Sequence, residues 1–173
     1  MPVSTQAVAI DQRGCVYTPR VVGVRVGQTL QIKNSDSFLH NVHGLSGKEN
    51  SFNIGQPRAG LVFEFKPKNE EVMLHVKCDV HNWMNAYVAI VTNPYFAVSD
   101  TAGTFQIDKV PPGTYMIQAW QERYGFVSKT VTVKGGAVTT VDFTYTGNEK
   151  PSASGFQDLV VPSENSVAAL SYR

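Results

Sequence analysis

Short runs of alternating apolar and polar residues recur along most of this 173-residue chain, and Gly, Pro, Asn or Asp breaks nearly every one of them. A period of two sends successive side chains to opposite faces of an extended strand. No long window carries apolar residues at i, i+3, i+4 and i+7, the spacing an amphipathic helix needs. The pattern predicts an all-β sandwich or barrel. Val22, Val24 and Val26 share one face before Gly27 closes a turn, and Leu30 and Ile32 resume the alternation. Residues 61–65 read as a strand with Phe63 and Phe65 inward. Val72, Leu74, Val76 and Cys78 share one face of another strand, and residues 87–91 form a further one. Residues 44–50 have the composition of a loop.

The densest chemistry lies between the last two of these strands, in Cys78-Asp79-Val80-His81-Asn82-Trp83-Met84. A thiol, an imidazole and a thioether stand at i, i+3 and i+6. A second imidazole comes from far upstream, in Leu39-His40-Asn41-Val42-His43. One Cys, two His and one Met form the donor set of a mononuclear electron-transfer copper site, with a trigonal plane of two nitrogens and one sulfur and a weak axial thioether. Soft sulfur favours Cu(I) and imidazole tolerates Cu(II), so one pocket serves both states. A ligand loop spanning two strands is held by a rigid frame. Each donor alone has a plainer reading, as a buried Cys, a hydrogen-bonded His or a core Met. Their order and spacing between strands distinguish the set.

These residues resemble the cupredoxins, the small blue copper proteins, and among them the amicyanin- and plastocyanin-like members with short ligand loops. The resemblance covers roughly residues 1–92. It rests on Cys78-x2-His81-x2-Met84, the His40-Asn41-Val42-His43 tetrad, the turn at Gly27, Asn34 ahead of the tetrad, and the aromatic-x-Pro triplet Tyr17-Thr18-Pro19. It implies a Greek-key β-barrel or sandwich, one copper ion held by His40, Cys78, His81 and Met84, and the exposed edge of His81 as the electron port. His43 then points elsewhere. Two positions depart from the family: Leu39 precedes the ligand His where Pro is usual, and Lys77 stands where many members carry an aromatic residue. His75, on the strand face opposite Cys78, reads as a surface residue.

Cys15 has three open readings. It is a free packed thiol, a disulfide partner of Cys78 when metal is absent, or a second thiolate of a dinuclear centre. A free thiol is unusual in an oxidising compartment.

Residues 93–146 resemble the carboxypeptidase regulatory-like, or transthyretin-like, β-domain through Asp100-x-x-Gly103-x-Phe105 and Pro111-Pro112-Gly113-Thr114-Tyr115. Gly103 and Gly113 suit turns between strands. Val131 and Val133 alternate, as do Val141, Phe143 and Tyr145 beyond Gly135-Gly136. This unit is expected to be a small β-sandwich packed on the first, with a scaffolding role. Asp100 and Asp108 read as turn residues. Residues 147–173 read as an extended or partner-bound tail, with Phe156 and Leu159 as anchors for a partner subunit.

Net charge is +1 and only 17% of residues are charged, so nucleic acid is not an expected partner. No apolar stretch has the length of a membrane span. The resemblance implies a periplasmic or other extracytoplasmic location, with a leader removed. The expected function is one-electron transfer with a redox protein such as a c-type cytochrome or a membrane complex. A complete four-donor shell leaves no open position for a substrate, which argues against an enzyme. Two other classes remain: a copper-binding protein for delivery or tolerance, and a metal-free structural subunit of a respiratory or photosynthetic complex.

Overall fold

The computed structural model describes residues 2–149 and 166–170. The fold is all-β, with thirteen strands and no helix among the described residues. The chain divides into two compact units, Met1–Pro94 and Tyr95–Arg173.

The first unit holds β1 (Val8–Gln12), β2 (Tyr17–Thr18), β3 (Val21–Arg25), β4 (Leu30–Asn34), β5 (His40–Leu45), β6 (Phe52–Gln56), β7 (Val62–Phe65), β8 (Glu71–Lys77) and β9 (Asn85–Val91). They form two mixed sheets, one ordered β2-β1-β4-β7 and the other β3-β9-β8-β5-β6. β1 runs parallel to β4, and β3 runs parallel to β9. The alternating apolar faces meet in one core containing Ile10, Val24, Leu30, Ile32, Leu74 and Ile90, all fully buried. Phe63 and Phe65 pack onto it from β7, as their alternation predicts.

β8 departs from simple alternation. Its pairing with β9 shifts register between Glu71 and Leu74, and Met73 adopts a φ of 70°. An extra residue in a strand turns the following side chains over. Met73 is therefore buried and Val72 only half-buried, whereas Leu74, Val76 and Cys78 keep the expected inward face.

A buried amide cluster fixes the approach to β5. The Gln56 side chain donates to the Ile32 carbonyl at 3.0 Å and accepts from Gln12. Asn34 donates to the carbonyls of Gln56 and Phe38, at 2.9 and 3.1 Å, and its side-chain oxygen accepts the Asp36 N–H at 2.8 Å. An Asn that bonds the backbone on both sides of a bend pins its geometry. Residues 35–39 thus enter β5 on a fixed path.

The second unit contains β10 (Phe96–Val98), β11 (Gly113–Gln121), β12 (Gly125–Val133) and β13 (Ser166–Leu170), in the order β10-β13-β11-β12. β11 and β12 form a hairpin paired from Gly113↔Val133 to Gln121↔Gly125. The Asp100–Thr104 turn forms as expected: Gly103, at φ 83°, donates to the Asp100 carbonyl at 3.0 Å. Residues 141–145, predicted as a strand, join no sheet, although Val141 and Phe143 still pack on the buried pair Tyr115 and Ile117. Part of the predicted tail, Ser166–Leu170, is a strand of the chain's own sheet, running parallel to β10 and β11. Its backbone fills the gap between those strands, which a tail free for a partner would leave open. Phe156 and Leu159 lie outside the described residues.

Candidate metal centre

The four predicted donors sit on three pieces of the first unit. His40 opens β5, Cys78 follows the last residue of β8, and His81 and Met84 lie in the turn leading to β9. That turn is closed by its own backbone: Met84 N–H donates to the His81 carbonyl at 2.9 Å, and Cys78 N–H donates to the Met84 carbonyl at 3.2 Å.

His40 is fully buried, and its Nε2 lies 2.8 Å from Asp36 Oδ2. With that nitrogen donating, Nδ1 carries the free lone pair. Nδ1 faces His81 Nδ1 at 3.1 Å, and the two rings meet edge to face. Cys78 Sγ is 3.7 Å from His81 Nδ1. The sulfur also accepts the backbone N–H groups of Asn41 and His81, each at 3.4 Å. The ligating atoms of His40, Cys78 and His81 all fall within 4.8 Å of one another. Cys78 and Met84 are both 1% exposed and belong to the apolar core. His81 is half-exposed, with Phe38 and Trp83 on either side at ring distances of 6.0 and 5.3 Å. Two imidazole Nδ1 atoms beside a buried thiol suit a copper ion, with sulfur and nitrogen donors together.

The surrounding groups hold this arrangement. Tyr17, buried beneath it, places its hydroxyl 2.9 Å from the Asn41 carbonyl and 3.2 Å from the Lys77 carbonyl. Burial, with the nearby Cys78 and Asp79, pushes the phenol well above its ordinary pKa. Burial works to raise Asp36, but the N–H groups of Cys15 and Gly14, at 3.0 and 2.8 Å, and the His40 ring together hold its carboxyl below the usual range. The Lys77 ammonium, 2.8 Å away, outweighs slight desolvation at exposed Asp79 and, with His43, lowers that carboxyl as well.

The other histidines lie apart from this cluster. His43 pairs with Asp79 at 2.9 Å, away from the donors, as the resemblance implies. His75 is half-buried rather than a surface residue: it bonds Asn85 at 2.7 Å and stacks on Tyr87 at 5.1 Å. Cys15 and Cys78 are both free. Cys15 groups with Asp36 and His40 in a second donor cluster. One contributor, Asp36, and one contact, made by Trp83, escaped the sequence reading. Asp36 resembles any turn residue in Ser35-Asp36-Ser37, and its place four residues before His40 was the only signal. Trp83 donates its Nε1–H to the Cys15 carbonyl at 3.0 Å, a contact that no sequence pattern announces.

Residues 83–146 match the family model of the carboxypeptidase regulatory-like domain. No curated protein matches the sequence. Among solved structures, the chain is similar to a copper-containing nitrite reductase from Thermus scotoductus SA-01, at 18% identity and a TM-score of 0.46. The match covers 51% of this chain and 23% of that one, so this chain spans under a quarter of the reductase. It is also similar to an oxidised amicyanin variant, at 21% identity, a TM-score of 0.44 and coverage of 51% and 85%. A reduced, Cu(I) amicyanin variant gives 21% identity, a TM-score of 0.43 and the same coverage. These likenesses concern the fold, and the donor geometry stands on its own side chains.

Proposed function

We propose that this protein is a type 1 copper protein that carries single electrons between redox partners outside the cytoplasm. The observation that carries this reading is the pair of Nδ1 atoms, 3.1 Å apart, beside a Cys78 sulfur that accepts two backbone N–H bonds. His40, Cys78, His81 and Met84 would hold the ion. Copper, when bound, supplies a one-electron couple between Cu(I) and Cu(II).

The chain's own residues do the rest. Asp36 fixes the His40 ring with Nδ1 inward, the outer-shell role that orients metal-binding imidazoles. The core around Cys78 and Met84 excludes water. Backbone bonds across the 78–84 turn hold three of the donors still, so little rearrangement accompanies a change of charge. His81 alone among the donors reaches the surface, and the exposed rings of Phe38 and Trp83 give a partner an apolar contact around it. Exposed aromatic residues of this kind anchor protein–protein contacts. A c-type cytochrome or a membrane redox complex is the expected partner. No helix among the described residues is long and apolar enough to cross a membrane.

Stopped-flow mixing of the copper-loaded protein with a reduced c-type cytochrome tests the role. Fast, reversible electron exchange is expected. Copper that stays bound but exchanges no electrons would contradict the carrier and leave storage or delivery.

A further inference from the structure

The His40 ring has two faces to account for. Nδ1 belongs to the centre described above, whereas Nε2 points to Asp36 and the turn that carries Cys15. That turn joins β1 to β2 and is closed by Arg13 N–H donating to the Val16 carbonyl at 3.1 Å. Cys15 sits in it at φ 58°, a left-handed conformation uncommon for residues other than Gly. The turn is fastened on both sides: Gly14 and Cys15 N–H groups grip Asp36, and the Cys15 carbonyl accepts the Trp83 indole N–H. The thiol itself is in no disulfide and is half-buried. Its sulfur, an Asp36 carboxylate oxygen and a His40 ring nitrogen lie within 4.8 Å of one another.

We propose that Cys15, Asp36 and His40 Nε2 form a second metal position for a thiophilic divalent cation of tetrahedral habit, Zn(II), next to the first centre and sharing His40 with it. The proposal rests on the type 1 reading only in assigning His40 Nδ1 to the other ion. A thiolate, a carboxylate and an imidazole are all established zinc donors. Bond lengths of about 2.3 Å to sulfur and about 2.0 Å to nitrogen and oxygen put tetrahedral donors roughly 3.3–3.8 Å apart. The sulfur therefore needs to draw in by no more than about 1.3 Å, while the Nε2–Oδ2 pair, now 2.8 Å apart, opens by about 0.5 Å. The carboxylate is already positioned by the Gly14 and Cys15 N–H groups, at 2.8 and 3.0 Å. Solvent completes the shell at the exposed Arg13–Gly14 side.

Loading balances as an exchange of protons for an ion. The Cys15 S–H bond and the His40 Nε2–H bond give way to S–metal and N–metal bonds, and two protons pass to solvent with no change of oxidation state. In the absence of the second ion, the Nε2 proton stays on the hydrogen bond to Asp36.

Co(II), a visible-absorbing stand-in for Zn(II), tests this on the full chain. The unsubstituted protein should bind two Co(II) per chain, with thiolate charge-transfer absorption from both sulfurs. Cys15→Ser should bind one and lose its share of that absorption. Asp36→Asn should weaken, by about tenfold or more, the binding step that Cys15→Ser removes. Alkylation of Cys15 by iodoacetamide, followed by mass spectrometry on the unsubstituted protein, needs no variant: two equivalents of Co(II) should slow it strongly. Saturation at one Co(II), with Cys15→Ser titrating identically and Cys15 alkylation unaffected by metal, would overturn the second position. The type 1 reading fails by a separate sign, an intense visible Cu(II) band that survives Cys78→Ser.

Discussion

Tyr17 shows how much of the centre depends on groups that donate nothing to a metal. Its hydroxyl reaches the carbonyl just after His40 and the carbonyl just before Cys78, tying two donor-bearing strands from below. Tyr17→Phe should cost about 1–2 kcal/mol of stability, measured by urea unfolding, because the buried carbonyls lose their partner. The raised phenol pKa also fixes a sign. An acid whose folded pKa lies above its unfolded value, near 10, contributes stability that is fully present below about pH 10 and is lost as pH rises above it. Tyr17→Phe should therefore lose less stability between about pH 10 and 11 than the unsubstituted chain. Equal losses would show that Tyr17 is not the group that ionises. At this scale, the sequence pointed to His40, Cys78, His81 and Met84 because donor type and spacing are chemical information in themselves. The resemblance also put Cys15 at the ligand-loop end and Trp83 beside His81, but Asp36 and the bonds that Cys15 makes to Asp36 and Trp83 were illegible, because those bonds join turns more than twenty residues apart.

Strands were legible where alternation coincided with hydrogen bonding, and misread where the two separated. Val141 and Phe143 alternate because both are packed on Tyr115 and Ile117, yet their backbone joins no ladder. Period two therefore reports burial on one side, with or without a sheet. The bulge in β8 has the opposite lesson: a one-residue insertion moved Met73 inward without any composition signal. β5 carries a further constraint, since a Cβ at Gly44 would lie 2.7 Å from a ring carbon of Phe52 on the neighbouring strand. Phe52 is itself wedged between Phe63 and Phe65, at ring distances of 5.1 and 4.8 Å. Gly44→Ala should destabilise the first unit by about 1–3 kcal/mol, as overpacking does. A shift of the thermal midpoint within error would show that Phe52 yields freely. Leu74→Ala, in the middle of the core, should cost about 2–5 kcal/mol in the same measurement.

Each of the two units has its own apolar cluster, and every predicted donor lies in the first. A fragment covering residues 2–94 should therefore fold cooperatively and take up copper with the spectrum of the full chain. A fragment that stays unfolded would tie the core of the first unit to residues beyond it. The most direct test of the central claim is the optical and EPR spectrum of the purified full chain after addition of Cu(II). One ion per chain with an intense visible thiolate-to-copper band and the narrow copper hyperfine splitting of a mononuclear thiolate site, both lost in Cys78→Ser, is the predicted result. A weakly coloured protein with the hyperfine pattern of nitrogen and oxygen donors alone, or a spectrum unchanged by Cys78→Ser, would contradict it.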